Sequence, residues 1–151
     1  MKKTILVTSL LLLLFSLNVA AQDTEEQLPI GQLLEADAKH NLDVAWQYFR
    51  LRKAYIAVLM RTEETMAAHP AFTKMDEILY LSGMSSYYLL NGKGKQKIDL
   101  EKMSESDREK FAPERLKEDA LAYLAQLIDD YPDSKYADKA KPVLKKLRPE
   151  E

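Results

Sequence analysis

The stretch ALAYLAQLIDDYPDSKYADKAKPVLKKL, residues 120–147, decides the fold of this chain. In its first half the apolar residues recur three and four positions apart, which is the spacing of an amphipathic helix: Ala120, Tyr123, Leu124, Leu127 and Ile128. Pro132 ends that helix, and either Asp133 or Ser134 is placed to cap the next one. Pro142 falls inside the second helix and lacks a backbone N–H, so we expect a kink or fraying there.

Helical patterns also cover the chain before this stretch. Residues 32–68 contain no Gly and no Pro, and the charged run at 50–53 interrupts their apolar stripe, which predicts two helices joined by a turn. A third helix is expected from Thr73, as its cap, to Leu90, where Asn91 and Gly92 terminate it. No segment alternates with period two, so the fold class is all-α, with about four or five helices in antiparallel pairs.

Residues 91–113 are polar and rich in lysine, and they interrupt the second helix pair. Ser106 and Glu109 have the spacing of a capping box, so a short helix inside the segment is an open alternative. We interpret 91–113 as an inserted surface loop, and we expect that replacing residues 93–106 by a short Gly/Ser linker leaves the helical content and melting nearly unchanged but weakens binding to the native partner. The predicted organisation is therefore a helical domain at 32–148 that carries an inserted loop at 91–113.

The composition excludes most kinds of chemistry. The 151 residues include 22 Lys+Arg, 24 Asp+Glu, 2 His and no Cys. The slight acidic excess argues against a nucleic-acid partner, and the lack of cysteine rules out disulfides, thiolate metal sites and a covalent lipid anchor. No nucleophile, phosphate-loop or metal motif is complete, so we expect no enzyme activity, no cofactor and no catalytic or metal-ligating residue.

The first residues have the pattern of an export signal. Lys2 and Lys3 precede an apolar run at 5–17, and Val19-Ala20-Ala21 supplies the small residues of a cleavage site. We therefore predict a signal peptide at 1–21, a flexible polar leader at 22–31, and an exported protein of the periplasm or the outer-membrane periphery.

Two helix–proline elements carry a family resemblance. His69-Pro70 and Tyr131-Pro132 each end a helix, and the spacing of Ala120, Leu124, Leu127 and Pro132 resembles the second helix of a tetratricopeptide repeat. DEILYLSGMSSYYLL and the stretch 120–147 are similar to the outer-membrane β-barrel assembly factor (BamD-like) family. The two prolines lie 132 − 70 = 62 residues apart, whereas such repeats have a period of about 34.

The resemblance implies a non-catalytic scaffold that binds other envelope proteins or peptide segments, in outer-membrane protein assembly. Two other functions stay open: a small structural helical subunit of an envelope complex without a peptide-binding groove, and a secreted enzyme accessory or inhibitor. Among the tyrosines of the helices, which mostly serve packing, Tyr80 and Tyr87 are our candidates for protein binding, together with Arg52. Peripheral contact with anionic lipid headgroups is a further hypothesis for the loop lysines: Lys93, Lys95, Lys97 and Lys102.

The signal-peptide hypothesis makes a direct prediction. Export should be accompanied by cleavage after Ala21, because the small residues before Gln22 fit the specificity of signal peptidase. The intact mass of the exported protein should then correspond to a chain that begins at Gln22. An exported product that retains residues 1–21 would contradict the prediction.

Overall fold

The computed structural model describes residues 29–148, so the predicted signal peptide at 1–21 and most of the leader at 22–31 lie outside the described residues. The described part of the chain is all-α, as predicted, and contains no strand. It has six α-helices: α1 (Ile30–Gln47), α2 (Tyr55–Ala68), α3 (Met75–Leu90), α4 (Glu105–Lys110), α5 (Pro113–Asp130) and α6 (Lys135–Leu147).

Helix α3 is the centre of the packing. It contacts α2 on one side and α5 on the other, while α1 packs on α2 and α6 packs on α5. Smaller contacts join α1 to α3 and α3 to α6, which places α1, α3 and α6 next to one another. The molecule is therefore two antiparallel helix pairs, α1–α2 and α3–α5, closed by α6.

The turn predicted at 50–53 is present and has an unusual form. A π-helical turn, Tyr48–Arg52, continues α1, and Lys53 then takes a left-handed backbone conformation with φ of 51°. The backbone N–H of Ala54 bonds to the carbonyl of Tyr48 at 3.1 Å and closes the turn. This wide turn reverses the chain so that α2 runs back along α1.

Several helix ends match the sequence pattern. Ser134 caps α6 by accepting a hydrogen bond from the backbone N–H of Tyr136 at 3.1 Å. Pro113 occupies the first turn of α5, and Gly92, with φ of 64°, follows the end of α3. Pro142 does not end α6, which continues to Leu147.

Three other predicted ends were wrong, and in one of them a side chain distant in sequence takes the capping group. Thr73 does not cap α3, which begins at Met75. Its hydroxyl donates instead to Glu35 of α1. The cap of α4 is Ser104 rather than Ser106, and its Oγ accepts from the N–H of Asp107 at 3.2 Å. Helix α1 begins at Ile30, inside the segment that we expected to be a flexible leader.

The segment 91–113 is not the detached surface loop that we expected. It contains a 3₁₀ turn, Leu100–Lys102, followed by α4. The side chain of Gln96 accepts from the backbone N–H of Ala57 at 3.3 Å, and so it serves an N–H in the first turn of α2. The N–H of Lys95 bonds to the carbonyl of Lys53 at 3.0 Å.

Apolar side chains also anchor this segment. Phe111 is buried in a second core cluster with Tyr55, Leu59, Leu89 and Leu116. Three partly buried residues of the segment pack against that cluster: Ile98, Leu100 and Met103. These contacts argue against the expectation that replacing residues 93–106 leaves the melting nearly unchanged, since the segment bonds to the start of α2 and covers this second core.

Helices α3 and α5 approach each other closely at Gly83 of α3. A Cβ atom at this position would lie 2.6 Å from Cγ and Cδ2 of Leu124 and 3.3 Å from its backbone nitrogen. Leu124 itself is fully buried. Only glycine therefore lets α3 and α5 pack at this distance, as the sequence pattern around Gly83 suggested.

We predict that Gly83→Ala destabilises the fold by about 1–3 kcal/mol, because the added methyl group collides with Leu124. Gly31→Ala is the matched control, since a Cβ there meets nothing within 4 Å and alanine favours the helix by up to about 1 kcal/mol. Urea denaturation of both variants measures the difference.

A double variant identifies the cause. Leu124→Ala alone should cost about 2–5 kcal/mol, but it removes the atoms that the new methyl group meets. Adding Gly83→Ala to Leu124→Ala should therefore cost much less than it costs in the wild-type chain. Equal costs in both backgrounds would show that this contact does not set the spacing of α3 and α5.

Candidate protein-binding surface

Five aromatic side chains form a continuous layer across the helices α1, α3 and α6. We call this layer the aromatic face: Trp46, Phe49, Tyr80, Tyr88 and Tyr136. The ring of Trp46 lies 5.7 Å from that of Tyr136 and 5.7 Å from that of Phe49, measured between centroids. Such separations are typical of favourable aromatic pairs, so the layer also holds the three helices together.

The layer continues toward the second core through two further tyrosines. Tyr55 lies 4.9 Å from the Tyr88 ring and is buried, whereas Tyr87 lies 5.9 Å from Tyr88 and is half-buried. The rings of Trp46, Phe49, Tyr80 and Tyr88 are only partly covered. The aromatic face therefore combines a rigid interior with surface that a partner can reach.

A carboxylate from α3 holds the aromatic face in place. One oxygen of Glu77, Oε2, accepts from the indole Nε1 of Trp46 at 2.7 Å and from the hydroxyl of Tyr136 at 3.0 Å. Burial, followed by the hydrogen bond to Glu77, raises the pKa of the Tyr136 hydroxyl from 10.0 to about 12. Glu77 thus fixes the orientation of two rings that come from different helices.

The neighbouring residue Asp76 makes a second polar connection to α6. Its Oδ2 accepts from the hydroxyl of Ser134 at 2.6 Å, and Ser134 is also the N-cap of α6. One serine therefore caps its own helix and attaches it to α3. Because these contacts orient the start of α6, they also position Tyr136 beside Trp46.

Cationic side chains surround the rings. The guanidinium of Arg50 lies 4.0 Å above the ring of Trp46, which is well inside the range of a cation–π interaction. The ammonium groups of Lys135 and Lys139 lie 4.9 and 5.4 Å from the Tyr136 ring, and that of Lys93 lies 5.5 Å from the Tyr88 ring. The surface that results is aromatic at its centre and positively charged at its edge.

The three residues proposed from the sequence occupy different places. Tyr80 lies within the aromatic face, where burial raises the pKa of its hydroxyl. Tyr87 lies at its border beside Tyr88. Arg52 stacks on Tyr48 at 5.5 Å, outside the layer, and the arginine that lies on Trp46 is Arg50.

The sequence pattern did not identify Trp46, Glu77 and Arg50 as site residues. Trp46 belongs to the apolar stripe of α1, and Glu77 is one of two acidic residues in the first turn of α3. Both features have ordinary structural explanations, namely packing and the helix dipole. Nothing local in the sequence shows that Trp46 and Glu77, 31 positions apart, share a hydrogen bond.

The two histidines do not form a metal site within the described residues. His69 is buried, and its Nε2 lies 2.8 Å from Oδ2 of Asp37 on α1. Between residues 29 and 148, no group of three or more His, Asp or Glu side chains is arranged to hold a metal ion. Over the same residues, no helix is long and apolar enough to span a membrane.

Comparison with known families identifies the architecture. A profile described as "Tetratricopeptide repeat" matches residues 19–144, which is most of the chain. The chain belongs to the tetratricopeptide repeat family. No curated protein and no solved structure gives a significant match.

Membership explains the arrangement of the aromatic face. Tetratricopeptide repeat proteins generally bind other proteins or peptides and are generally non-catalytic. Their paired helices stack side by side, so that one set of helices forms a continuous surface. In this tetratricopeptide repeat protein, α1, α3 and α6 are adjacent and carry the aromatic face.

The raised pKa of Tyr136 predicts a pH dependence of stability. A tyrosine with a higher pKa in the folded chain contributes stability in its protonated form. That contribution is complete below the unfolded pKa of 10.0 and is lost as the pH rises toward about 12. The unfolding free energy of wild type should therefore fall more steeply over this pH range than that of Tyr136→Phe, as measured by urea denaturation.

The matched control is Tyr131→Phe. It removes a tyrosine hydroxyl outside the contact between Tyr136 and Glu77, so it separates the loss of that contact from the loss of a hydroxyl as such. If Tyr136→Phe and wild type lose stability in parallel above pH 10, the contact between Tyr136 and Glu77 does not stabilise the folded state as described.

Proposed function

We propose that this protein is an exported, non-catalytic scaffold that binds a peptide segment of another envelope protein on its aromatic face. The observation that carries the proposal is the layer of partly exposed rings on α1, the turn that follows it and α3, packed on the buried Tyr136 of α6 and bordered by Arg50, Lys135 and Lys139. Aromatic and arginine side chains supply most of the binding energy in many protein interfaces. Family membership supports the same general role.

The chemistry of the surface defines the partner. The partly covered rings favour apolar or aromatic side chains, because such contacts remove apolar area from water. The surrounding cations favour carboxylates, through both charge and directed hydrogen bonds from Arg50. The proposed partner is therefore a segment in which acidic residues stand beside leucine or aromatic residues.

The cellular setting is part of the proposal. The apolar run at 5–17 and the small residues Val19-Ala20-Ala21 support export. The resemblance of DEILYLSGMSSYYLL to the BamD-like family supports a role in outer-membrane protein assembly, in the periplasm or at the outer-membrane periphery. The lysines of the segment 91–102 would favour peripheral contact with anionic headgroups.

A second candidate function has its own observation. Three apolar residues on the first turns of α1 are strongly exposed, Ile30 at 76%, Leu33 at 52% and Leu34 at 48%. Their spacing places them close together on the helix surface. Such a patch fits a small structural subunit that docks into a larger envelope complex, independently of the aromatic face.

The test begins with recovery of the partner from the envelope fraction of the native host by affinity purification. Binding of the purified partner segment is then measured by calorimetry. We expect Arg50→Gln to weaken binding about fivefold, because a partly desolvated cation at such a site contributes about 1 kcal/mol. Cell fractionation of the wild-type protein tests the proposed compartment.

The matched control is Arg148→Gln, which makes the same change at an exposed arginine after α6. It should bind the partner as wild type does. If both arginine variants bind normally and Leu33→Ser abolishes recovery of the partner, the second candidate replaces the first.

A further inference from the structure

A pocket lies away from the centre of the aromatic face. The C-terminal end of α3, the segment 92–100 and the start of α5 enclose a pocket of about 410 Å³. This volume falls in the range of about 300–1,000 Å³ that is typical of small-molecule sites. The segment 91–113 therefore does more than cover the second core, since it forms one wall of a pocket.

The interior of the pocket is apolar. Phe111 and Leu116 line it and are almost fully buried, so the second core supplies its floor. Ile98 and Leu100 line it from the segment 91–113 and are partly exposed. An apolar chain that entered the pocket would contact both sets of side chains and lose most of its contact with water.

The charged residues that line the pocket are all positive. Lys93 and Lys97 line it, and no acidic residue does. Among residues 29–148, no carboxylate lies within 4.0 Å of either ammonium group, whereas nearby Lys102 is paired with Asp99 at 2.7 Å. Two cations beside an apolar cavity therefore favour a ligand that is negatively charged at one end.

We propose that this pocket binds an anionic single-chain amphiphile, with an acyl chain against Ile98, Leu100 and Phe111 and a carboxylate at Lys93 and Lys97. A neutral apolar ligand would not use the two cations, and a cationic amphiphile would be repelled by them. The proposal concerns a free, monomeric ligand. Membrane association through a headgroup and insertion of a partner's apolar side chain are alternative uses of the pocket.

The experiment is a calorimetric titration of the full chain with octanoate, decanoate and dodecanoate, each kept below its micelle-forming concentration. We expect saturable binding at one site that tightens roughly tenfold for each two-carbon extension. This increase follows from about 0.8 kcal/mol for each buried methylene. Dodecyltrimethylammonium, with the same chain length and the opposite charge, should bind at least tenfold more weakly than dodecanoate.

Paired variants identify the site. Lys93→Gln with Lys97→Gln should weaken dodecanoate binding by tenfold or more, since each lysine near an anionic group is worth about fivefold. Lys95→Gln with Lys117→Gln removes the same charge from exposed lysines that do not line the pocket, and it should bind as wild type does. Every variant carries the same N-terminal residues, so this difference reports on the pocket.

A third variant tests the apolar lining of the pocket. Ile98→Glu keeps both lysines but places a negative charge among the apolar lining residues, and it too should weaken dodecanoate binding tenfold or more. Circular dichroism checks that each variant is folded. Any one of three results overturns the proposal. The two dodecyl ligands bind with equal affinity, or the affinity does not depend on chain length, or the folded variants Lys93→Gln/Lys97→Gln and Ile98→Glu bind dodecanoate as wild type does.

The alternative uses give distinct results. Binding to vesicles of anionic phospholipid without binding to monomeric dodecanoate would assign the lysines to a membrane surface and overturn the proposal. Lys93 lines the pocket and also borders the aromatic face at Tyr88, whereas Arg50 belongs to the aromatic face alone. Arg50→Gln should leave dodecanoate binding unchanged, so failure of either proposal leaves the other intact.

Discussion

The distance between α3 and α5, set by Gly83 against Leu124, is the constraint on which the rest of the structure depends. Helix α3 is central, so its spacing from α5 also determines where α6 can pack against both. Close contact of helix backbones requires a residue without a side chain at the crossing point. A larger residue would move α5 outward, and α6, which carries Tyr136, would move with it.

Helix α3 packs through other small residues as well. Ser82, Ser85 and Ser86 are buried, and the hydroxyl of Ser82 donates to Oγ1 of Thr62 on α2 at 2.9 Å. Small side chains leave little apolar area to bury, but they allow two neighbouring helices to approach the same central helix. The larger apolar side chains of α3 fill the remaining space, among them Ile78, Leu79 and Leu81. The scaffold is thus compact at its centre, and its larger aromatic side chains lie on one side, at the aromatic face.

Much of this fold could be predicted from the sequence, because the decisive signals are local. Apolar residues at helical spacing, Pro132 and the cap at Ser134 all act within a few positions of one another. The start of α3 could not be predicted, since Glu35, 38 positions away, takes the hydroxyl of Thr73, and two nearby serines, Ser104 and Ser106, both fit the start of α4, where Ser104 is the cap. The arrangement of Trp46, Glu77 and Tyr136 depends on helices that are distant in sequence. Tyr80 was identified only because tyrosines are concentrated around α3, and the same pattern did not indicate Arg50.

The attachment of α6 has a consequence for the dynamics of the binding surface. Among the described residues, the main contacts of α6 are with α5 and α3, and they are fewer than those of the central helix α3; elements with fewer contacts open more easily. Because α6 supplies Tyr136, Lys135 and Lys139, local unfolding of this helix would remove one edge of the aromatic face. A partner that contacts α6 would bind more tightly when this helix is docked. By thermodynamic linkage, the bound partner stabilises the docked state of α6 by that same free energy. Helix α6 would thereby act as an adjustable element, and occupancy of the surface would determine how firmly α6 is held.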